Sequence, residues 1–577
     1  MKLTNLLVSL TLSVFTAGAQ TNWHSPMNAG FPTVQNQGWT SEIGQTYSRL
    51  PDRAQTQIRP DVWSLSRNSA GLAIHFYSNA PKIQVRYTVS GGHSMPHMPA
   101  TGVSGIDLYA TNSDGEERFC FGDYSFGDTI RYSYNNIGKD RYHNRGFEYH
   151  LYLPLYNSVK WMEIGIPEGC ELQFLPQAAE KPVVLYGTSI AQGACASRPG
   201  MAWGNILQRA LDYPLINLGF SGNGRLEKEM LQYITEIDAR LYLLDCLPNL
   251  PERSEEEIAQ LVKDAVKQIR QTRTAPILLI DHAGYSNAGT DTKRYESYAH
   301  TNRASRKAYE ALLAEGVANL YYLSHDELNM PSDGWVDYVH PSDLGMQQQA
   351  NAVEKKVREI LHLPQGSLLT TRPVTQRREP DNYEWQKRHR EVLALNKSNP
   401  PKALIIGNSI THFWGGEPAG PHKSGPDSWD KVMRPAGFRN LGYGWDRVEN
   451  VLWRVYHDEL DGYNAEKIVL MIGTNNQGLN SDDEIVEGLR LLLSAIKDKQ
   501  PKADIKVVGI LPRRNLETWV SSINQRIRQL AEKEGYRFKD AGSPLLQKDG
   551  KINESLFSDG LHPNAKGYRV IASGIAE

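Results

Sequence analysis

The chain has 577 residues, with 63 Lys and Arg against 65 Asp and Glu, for a formal net charge of −2 at pH 7. A near-neutral chain has no surplus of cations for a phosphate backbone, which argues against a nucleic-acid-binding protein. With 40% hydrophobic and 22% charged residues it is neither largely disordered nor collagen-like, and at about 150 residues per domain its length predicts three or four domains.

Residues 1–19 read as a secretory signal peptide. Lys2 supplies the positive start, Leu6 to Phe15 is an apolar run too short to act as an anchor, and Ala17 and Ala19 place small side chains ahead of a cleavage before Gln20. The expectation is an exported protein, periplasmic or secreted, with no stable membrane anchor. Residues 20–178 form a β-rich segment. The runs 72–77, 82–89, 106–109, 149–155 and 162–166 are short, apolar or alternating, and turn clusters such as Ser90-Gly91-Gly92 and Asn112-Ser113-Asp114-Gly115 separate them. This pattern predicts a β-sandwich of jelly-roll type.

From residue 179 to 363 the pattern changes to buried strands (183–186, 241–244, 276–280, 319–323) alternating with helical periods, which implies a parallel sheet covered on both faces. A polar linker, 364–380, follows. The alternation then restarts over 381–577, with a helix at 382–396 and strands at 403–406, 468–472 and 505–510. The fold class is therefore α/β, with two such units behind a β-sandwich. Cys120, Cys170, Cys195 and Cys246 allow three disulfide pairings, and free buried thiols are equally compatible with the sequence. His93 and His97 flank Pro96, so they do not share a helix face and read as loop histidines. No C-x-x-C or His/Cys cluster points to a metal, and no cofactor is expected.

The strongest signal is an internal repeat. A strand runs into Gly187-Thr188-Ser189 in the first unit and into Gly407-Asn408-Ser409 in the second. Near their ends the units carry Asp337-Tyr338-Val339-His340-Pro341 and Asp559-Gly560-Leu561-His562-Pro563. Ser189 precedes His340 by 151 residues, and Ser409 precedes His562 by 153. Between them, Asn217-Leu218-Gly219-Phe220-Ser221-Gly222-Asn223 matches Asn440-Leu441-Gly442-Tyr443-Gly444-Trp445-Asp446, and Asp245 to Asn249 matches Gly473-Thr474-Asn475-Asn476.

Ser, Gly, Asn and His in this order resemble the SGNH, or GDSL-type, hydrolase superfamily. The second unit is similar to the catalytic subunits of platelet-activating-factor acetylhydrolase through 450–455, 473–476 and 509–513. The first unit, with Gly105-Ile106-Asp107-Leu108-Tyr109 in its β lead-in, is similar to bacterial SGNH proteins that carry an N-terminal β-sandwich. The resemblance implies flavodoxin-like α/β/α folds and small acyl substrates, often acetyl on carbohydrate. It also implies oxyanion donors at the backbone N–H of each Ser, at Gly222 and Asn249 in the first unit, and at Trp445 and Asn475 in the second. Trp445 stands where the family usually has Gly, which leaves Gly444 as the alternative middle donor. Thr188 and Asn408 replace the Asp of G-D-S.

The chemistry needs a base for each weakly nucleophilic serine. His340 and His562 supply it, and Asp337 and Asp559, three residues earlier, orient them. Neither Ser lies in G-x-S-x-G, so the nucleophile elbow of α/β-hydrolases is absent. The expected reaction is acyl transfer to water through an acyl-enzyme, with an O-acetylated glycan or oligosaccharide as partner. A lysophospholipase or general short-acyl esterase is the rival within the class. A glycan-binding protein with inactive hydrolase units is the rival outside it, and the duplicated Asp-x-x-His argues against it. Trp414 and Trp429 fit either a sugar-stacking rim or core packing.

Overall fold

The computed structural model describes residues 20–142, 145–379 and 381–577, so the signal-peptide expectation falls outside the described residues. The N-terminal unit is a sandwich of two antiparallel sheets. One carries Thr21–His24, Val159–Pro167, Ile83–Val89, Ile130–Tyr134 and Asp123–Ser125 in that spatial order. The other carries Leu172–Phe174, Ala73–Ser78, Phe147–Tyr152, Asp107–Thr111 and Glu117–Cys120, with Val34–Gln35 added beside Ala73–Ser78. Alternation explains the core. Ile83, Val85 and Tyr87 point inward against Phe76, Leu108, Tyr149 and Ile164, while Gln84 and Arg86 face outward.

Each α/β unit is a five-stranded parallel sheet in the order 2-1-3-4-5, the flavodoxin-like arrangement. The first unit uses Val183–Gly187, Leu215–Gly219, Leu241–Asp245, Ile277–Ile280 and Leu320–Leu323. The second uses Ala403–Gly407, Phe438–Gly442, Lys467–Met471, Asp504–Val508 and Arg537–Lys539. The first strand of each sheet is buried along its whole length, as a central strand covered on both faces must be.

The two units are not independent bodies on a tether. One continuous apolar core runs from Leu207, Leu211 and Tyr213 of the first unit to Trp385, Leu452, Trp453 and Tyr456 of the second. Polar contacts reinforce it. The Tyr213 hydroxyl donates to the Tyr456 carbonyl at 2.6 Å, Trp453 Nε1 donates to Asp212 at 2.8 Å, and Arg240 pairs with Asp458 at 2.6 Å. The segment read as a polar linker is pinned as well. Thr370, Thr371, Thr375, Gln376, Arg377 and Arg378 are buried. All four cysteines are free thiols, which resolves the alternatives left open by the sequence. Among the described residues no helix is long and apolar enough to cross a membrane.

Candidate active sites

Both nucleophiles sit where the first strand of a sheet turns into a short helix at its carboxyl edge, the position at which open α/β sheets place ligands. Thr188 and Asn408 cap these helices, Ser189–Gln192 and Ser409–His412, by accepting the N–H two residues on. This is the use found for the residues that replace the usual Asp. The neighbouring strand comes so close that a Cβ on Gly219 would lie 2.3 Å from the Gln192 nitrogen, and one on Gly442 would lie 2.2 Å from the His412 nitrogen. Only glycine fits there. Asn217 and Asn440 then lock the approach by donating to Ala191 O and Thr411 O, each at 2.7 Å.

The structure brings both predicted triads together. Ser189 Oγ lies 3.0 Å from His340 Nε2, and His340 Nδ1 lies 2.7 Å from Asp337 Oδ2. In the second unit the corresponding distances are 2.9 Å from Ser409 Oγ to His562 Nε2 and 2.7 Å from His562 Nδ1 to Asp559 Oδ2. The carboxylate fixes the tautomer, so Nδ1–H donates to Asp and Nε2 is left to accept the serine hydroxyl. Each Asp also uses Oδ1 to accept two backbone N–H groups of its own loop, from Val339 and His340 or from Leu561 and His562. Partial burial opposes ionisation of Asp337 and Asp559. The hydrogen bonds from these N–H groups and from the imidazole outweigh it and hold both carboxyls below their usual range.

The residues expected as oxyanion donors sit in turns built on a shared plan. Ser221 N–H is taken by Gln192 Oε1 at 3.0 Å, and its counterpart Gly444 N–H by His412 Nδ1 at 3.1 Å. Gly444 is thus engaged and cannot be the alternative donor. The next residues, Gly222 and Trp445, both adopt left-handed backbone, with φ of 69° and 63°. Among the described residues their N–H groups meet no partner. Asn249 Oδ1 accepts Gly224 N–H at 3.0 Å, while Asn475 Nδ2 donates to the Asp446 carbonyl at 3.0 Å. Both amides therefore brace the turn that carries the middle donor. Burial, followed by the Arg388 and Arg454 charges, drives His412 down to about 2, so its ring is a neutral acceptor. Gln192 and His412 were not anticipated. Each lies three residues after its serine, and that matched offset was the available signal.

The β-sandwich reaches both sites. At the first, Asp107 of the Gly105–Tyr109 motif accepts Arg198 Nη1 and Gly200 N–H, both at 2.7 Å, and so docks the sandwich on the hydrolase unit. His97, read as a loop histidine, lies against His340 with ring centroids 5.7 Å apart. Cys195 donates its thiol hydrogen to the His97 carbonyl at 3.3 Å. Burial, aided by the Asp337 charge, pushes that thiol up to about 12, so it does not compete with Ser189 as a nucleophile. At the second site Arg378 pairs with Asp114 of the sandwich, Tyr142 lies beside Trp445, and Gln376 Nε2 donates to Gly444 O at 2.8 Å. Trp414 and Trp429 are fully buried core residues, which removes them as a sugar-stacking rim, whereas Trp445 is 40% exposed. A hollow of about 440 Å³ beside the first catalytic loop is lined by Tyr285, Tyr298, His325, Met330 and Trp335.

A flavodoxin-like sheet bearing Ser, His and Asp in hydrogen-bonded sequence at its carboxyl edge defines a serine hydrolase, and here it occurs twice. Family comparisons agree. The GDSL-like Lipase/Acylhydrolase family matches residues 180–358 and again 405–570, and a family described as the N-terminus of SGNH-hydrolase-type esterases matches 21–172. A crystal structure described as a GDSL-like lipase from Bacteroides ovatus aligns with a TM-score of 0.55 at 32% identity, over 59% of this chain and 98% of that one. Platelet-activating factor acetylhydrolase IB subunit alpha1 of Bos taurus is 26% identical over 196 residues, 33% of this chain and 80% of that protein. The alpha2 subunit of Homo sapiens is 26% identical over 198 residues, 33% and 82% respectively. The chain belongs to the GDSL/SGNH hydrolase family, carries tandem SGNH modules, and is an ester hydrolase.

Proposed function

We propose that the protein is an exported esterase that removes acetyl groups from O-acetylated carbohydrate at two active sites. The observation that carries this reading is the duplicated Ser–His–Asp chain with a free N–H at Gly222 and at Trp445. In each site the serine Oγ proton passes to His Nε2 as Oγ attacks the ester carbonyl. The oxyanion forms against the serine N–H, the Gly222 or Trp445 N–H, and the Asn249 or Asn475 amide. The imidazolium then protonates the leaving alcohol, and water, deprotonated by the same imidazole, releases the acid from the acyl-enzyme.

Acetyl is favoured because the matched curated relatives are named as acetylhydrolases. Carbohydrate is favoured because aromatic rings edge both sites. Tyr285 and Trp335 line the hollow, Tyr285 meets Tyr338 of the catalytic loop at 5.5 Å, and Trp445 is exposed at the second site. The test is an acetate-release screen over acetylated glycans, with Ser189→Ala and Ser409→Ala beside the wild type. Short-chain and long-chain synthetic esters and a lysophospholipid are run in parallel. Acetate release from glycans with poor turnover of long acyl chains supports the reading, and preferred hydrolysis of lysophospholipid overturns it. Export is checked separately: the mature chain recovered outside the cytoplasm should begin at Gln20.

A further inference from the structure

We propose that the first active site, and not the second, carries an inhibitory binding site for a zinc-like divalent cation, formed by His97, Cys195 and Asp337 with His340 within reach. One ligand atom from each of the four residues lies within 4.8 Å of the others. With Zn–N near 2.0–2.1 Å and Zn–S near 2.3 Å, ligand atoms of a tetrahedral site stand roughly 3.5 Å apart. Small side-chain movements therefore close the cluster around an ion. The donor set of imidazole, thiolate and carboxylate suits zinc and excludes calcium and magnesium, which take oxygen ligands.

Three separate segments deliver these groups. His97 is exposed on a tight turn whose ends, Met95 and Met98, exchange backbone hydrogen bonds at 3.0 and 3.1 Å, and buried Met98 anchors the turn. Cys195 follows the nucleophile helix in left-handed backbone, φ 69°, a conformation that a non-glycine residue rarely adopts. Asp337 and His340 come from the catalytic loop. Among the described residues, the second site has the same triad geometry without the extra ligands. The sixth residue after Ser189 is Cys195, whereas the sixth after Ser409 is Gly415, and the ring beside His562 is Phe413, with centroids 5.6 Å apart.

On binding, the Cys195 S–H bond breaks, its proton leaves to solvent and the sulfur lone pair coordinates the cation. His97 and Asp337 donate lone pairs, and no electron is transferred. A cation held by Asp337 takes away the group that orients His340, so Ser189 loses its base and the first site falls silent.

The inhibition arm rests on the esterase reading; a spectroscopic arm does not. In the first arm, full-length Ser409→Ala and Ser189→Ala proteins are stripped with chelator and assayed on p-nitrophenyl acetate with added zinc chloride. Zinc should abolish turnover by Ser409→Ala, which reports the first site, and chelator should restore it. Ser189→Ala should keep its activity at the same zinc concentration, and magnesium or calcium should affect neither. His97→Ala or Cys195→Ser, added to Ser409→Ala, should raise the half-inhibitory zinc concentration at least tenfold. Equal inhibition of both sites, or unchanged inhibition in either added variant, overturns the proposal. In the second arm, cobalt(II) added to the wild-type chain should give a thiolate-to-cobalt charge-transfer band that Cys195→Ser lacks. Absence of that band overturns the metal site. A band without any ester turnover keeps the site and overturns the esterase reading instead.

Discussion

At the scale of single residues, the two residues proposed for the second oxyanion hole make distinguishable demands. Asn475 is proposed to donate to charge that exists only in the transition state, so its loss acts on kcat more than on KM. On a Ser189→Ala background, Asn475→Ala should lower kcat by about 10²–10³ with little change in KM. Its bond to the Asp446 carbonyl is lost too, which should cost about 1 kcal/mol of stability. Measuring kcat, KM and melting temperature together separates the roles: a lowered melting point with normal kcat would reduce Asn475 to a brace. Trp445 poses the opposite case. Its proposed donor is the backbone N–H, and it holds a left-handed φ of 63° that a bulky side chain resists. Trp445→Gly should therefore keep kcat on p-nitrophenyl acetate within about threefold, or about 0.7 kcal/mol of barrier. It should raise the melting point and raise KM for an acetylated polysaccharide that stacks on the indole. An unchanged KM on polysaccharide would remove the indole from substrate recognition.

At the scale of elements, what the sequence shows depends on how many faces of an element are apolar. Val183–Gly187 and Ala403–Gly407 are buried on both faces and read as continuous apolar runs. Leu215–Gly219 and Phe438–Gly442 are just as buried, but Asn217 and Asn440 break the run, because those polar side chains spend their hydrogen bonds inside the protein. The triads were visible because Asp and His share one loop. His97 and Gln376 were not, because their partners lie far along the chain and no local period marks such a contact.

The strand pair Ala73–Ser78 and Phe147–Tyr152 hides a charge network of the same kind. His150 stacks on His75 with ring centroids 3.7 Å apart, pairs with Glu117 at 3.1 Å and faces Glu148, which Arg377 of the connecting segment also engages. Burial opposes a charge on His150, but the bonds to Glu117 and Glu148 outweigh it and hold the ring at about 9. A folded pKa above the unfolded 6.5 means that this contribution is fully present below about 6.5 and is lost as pH rises through about 9. The melting temperature of the wild type should therefore fall between pH 7 and pH 10 more steeply than that of His150→Gln. Parallel slopes for the two proteins would show that His150 is uncharged in the fold.

At the scale of the whole molecule, chemical independence and structural independence separate. Each triad is complete within its own unit, and among the described residues no side chain of one serves the other's nucleophile. Ser189→Ala should thus leave the second site's turnover intact, Ser409→Ala should leave the first's, and only the double variant should be inactive across a panel of acetyl esters. A single variant that silences every ester would remove one of the two sites. The fold behaves differently, because the second unit shares its core with the first and has its Gly444–Trp445 turn braced by a segment that the sandwich holds. Cutting the chain at residue 381 exposes Trp385, Leu452, Trp453 and Tyr456, at about 1.5–3 kcal/mol for each large apolar side chain uncovered. It also frees the Gly444–Trp445 turn from Gln376. The fragment 381–577 should therefore aggregate, or melt well below the intact chain, and a soluble fraction should turn over acetyl esters more slowly than full-length Ser189→Ala. If the fragment matches the intact chain in both melting temperature and kcat, the shared core and the brace contribute nothing, and the tandem arrangement does no more than tether two self-sufficient esterases.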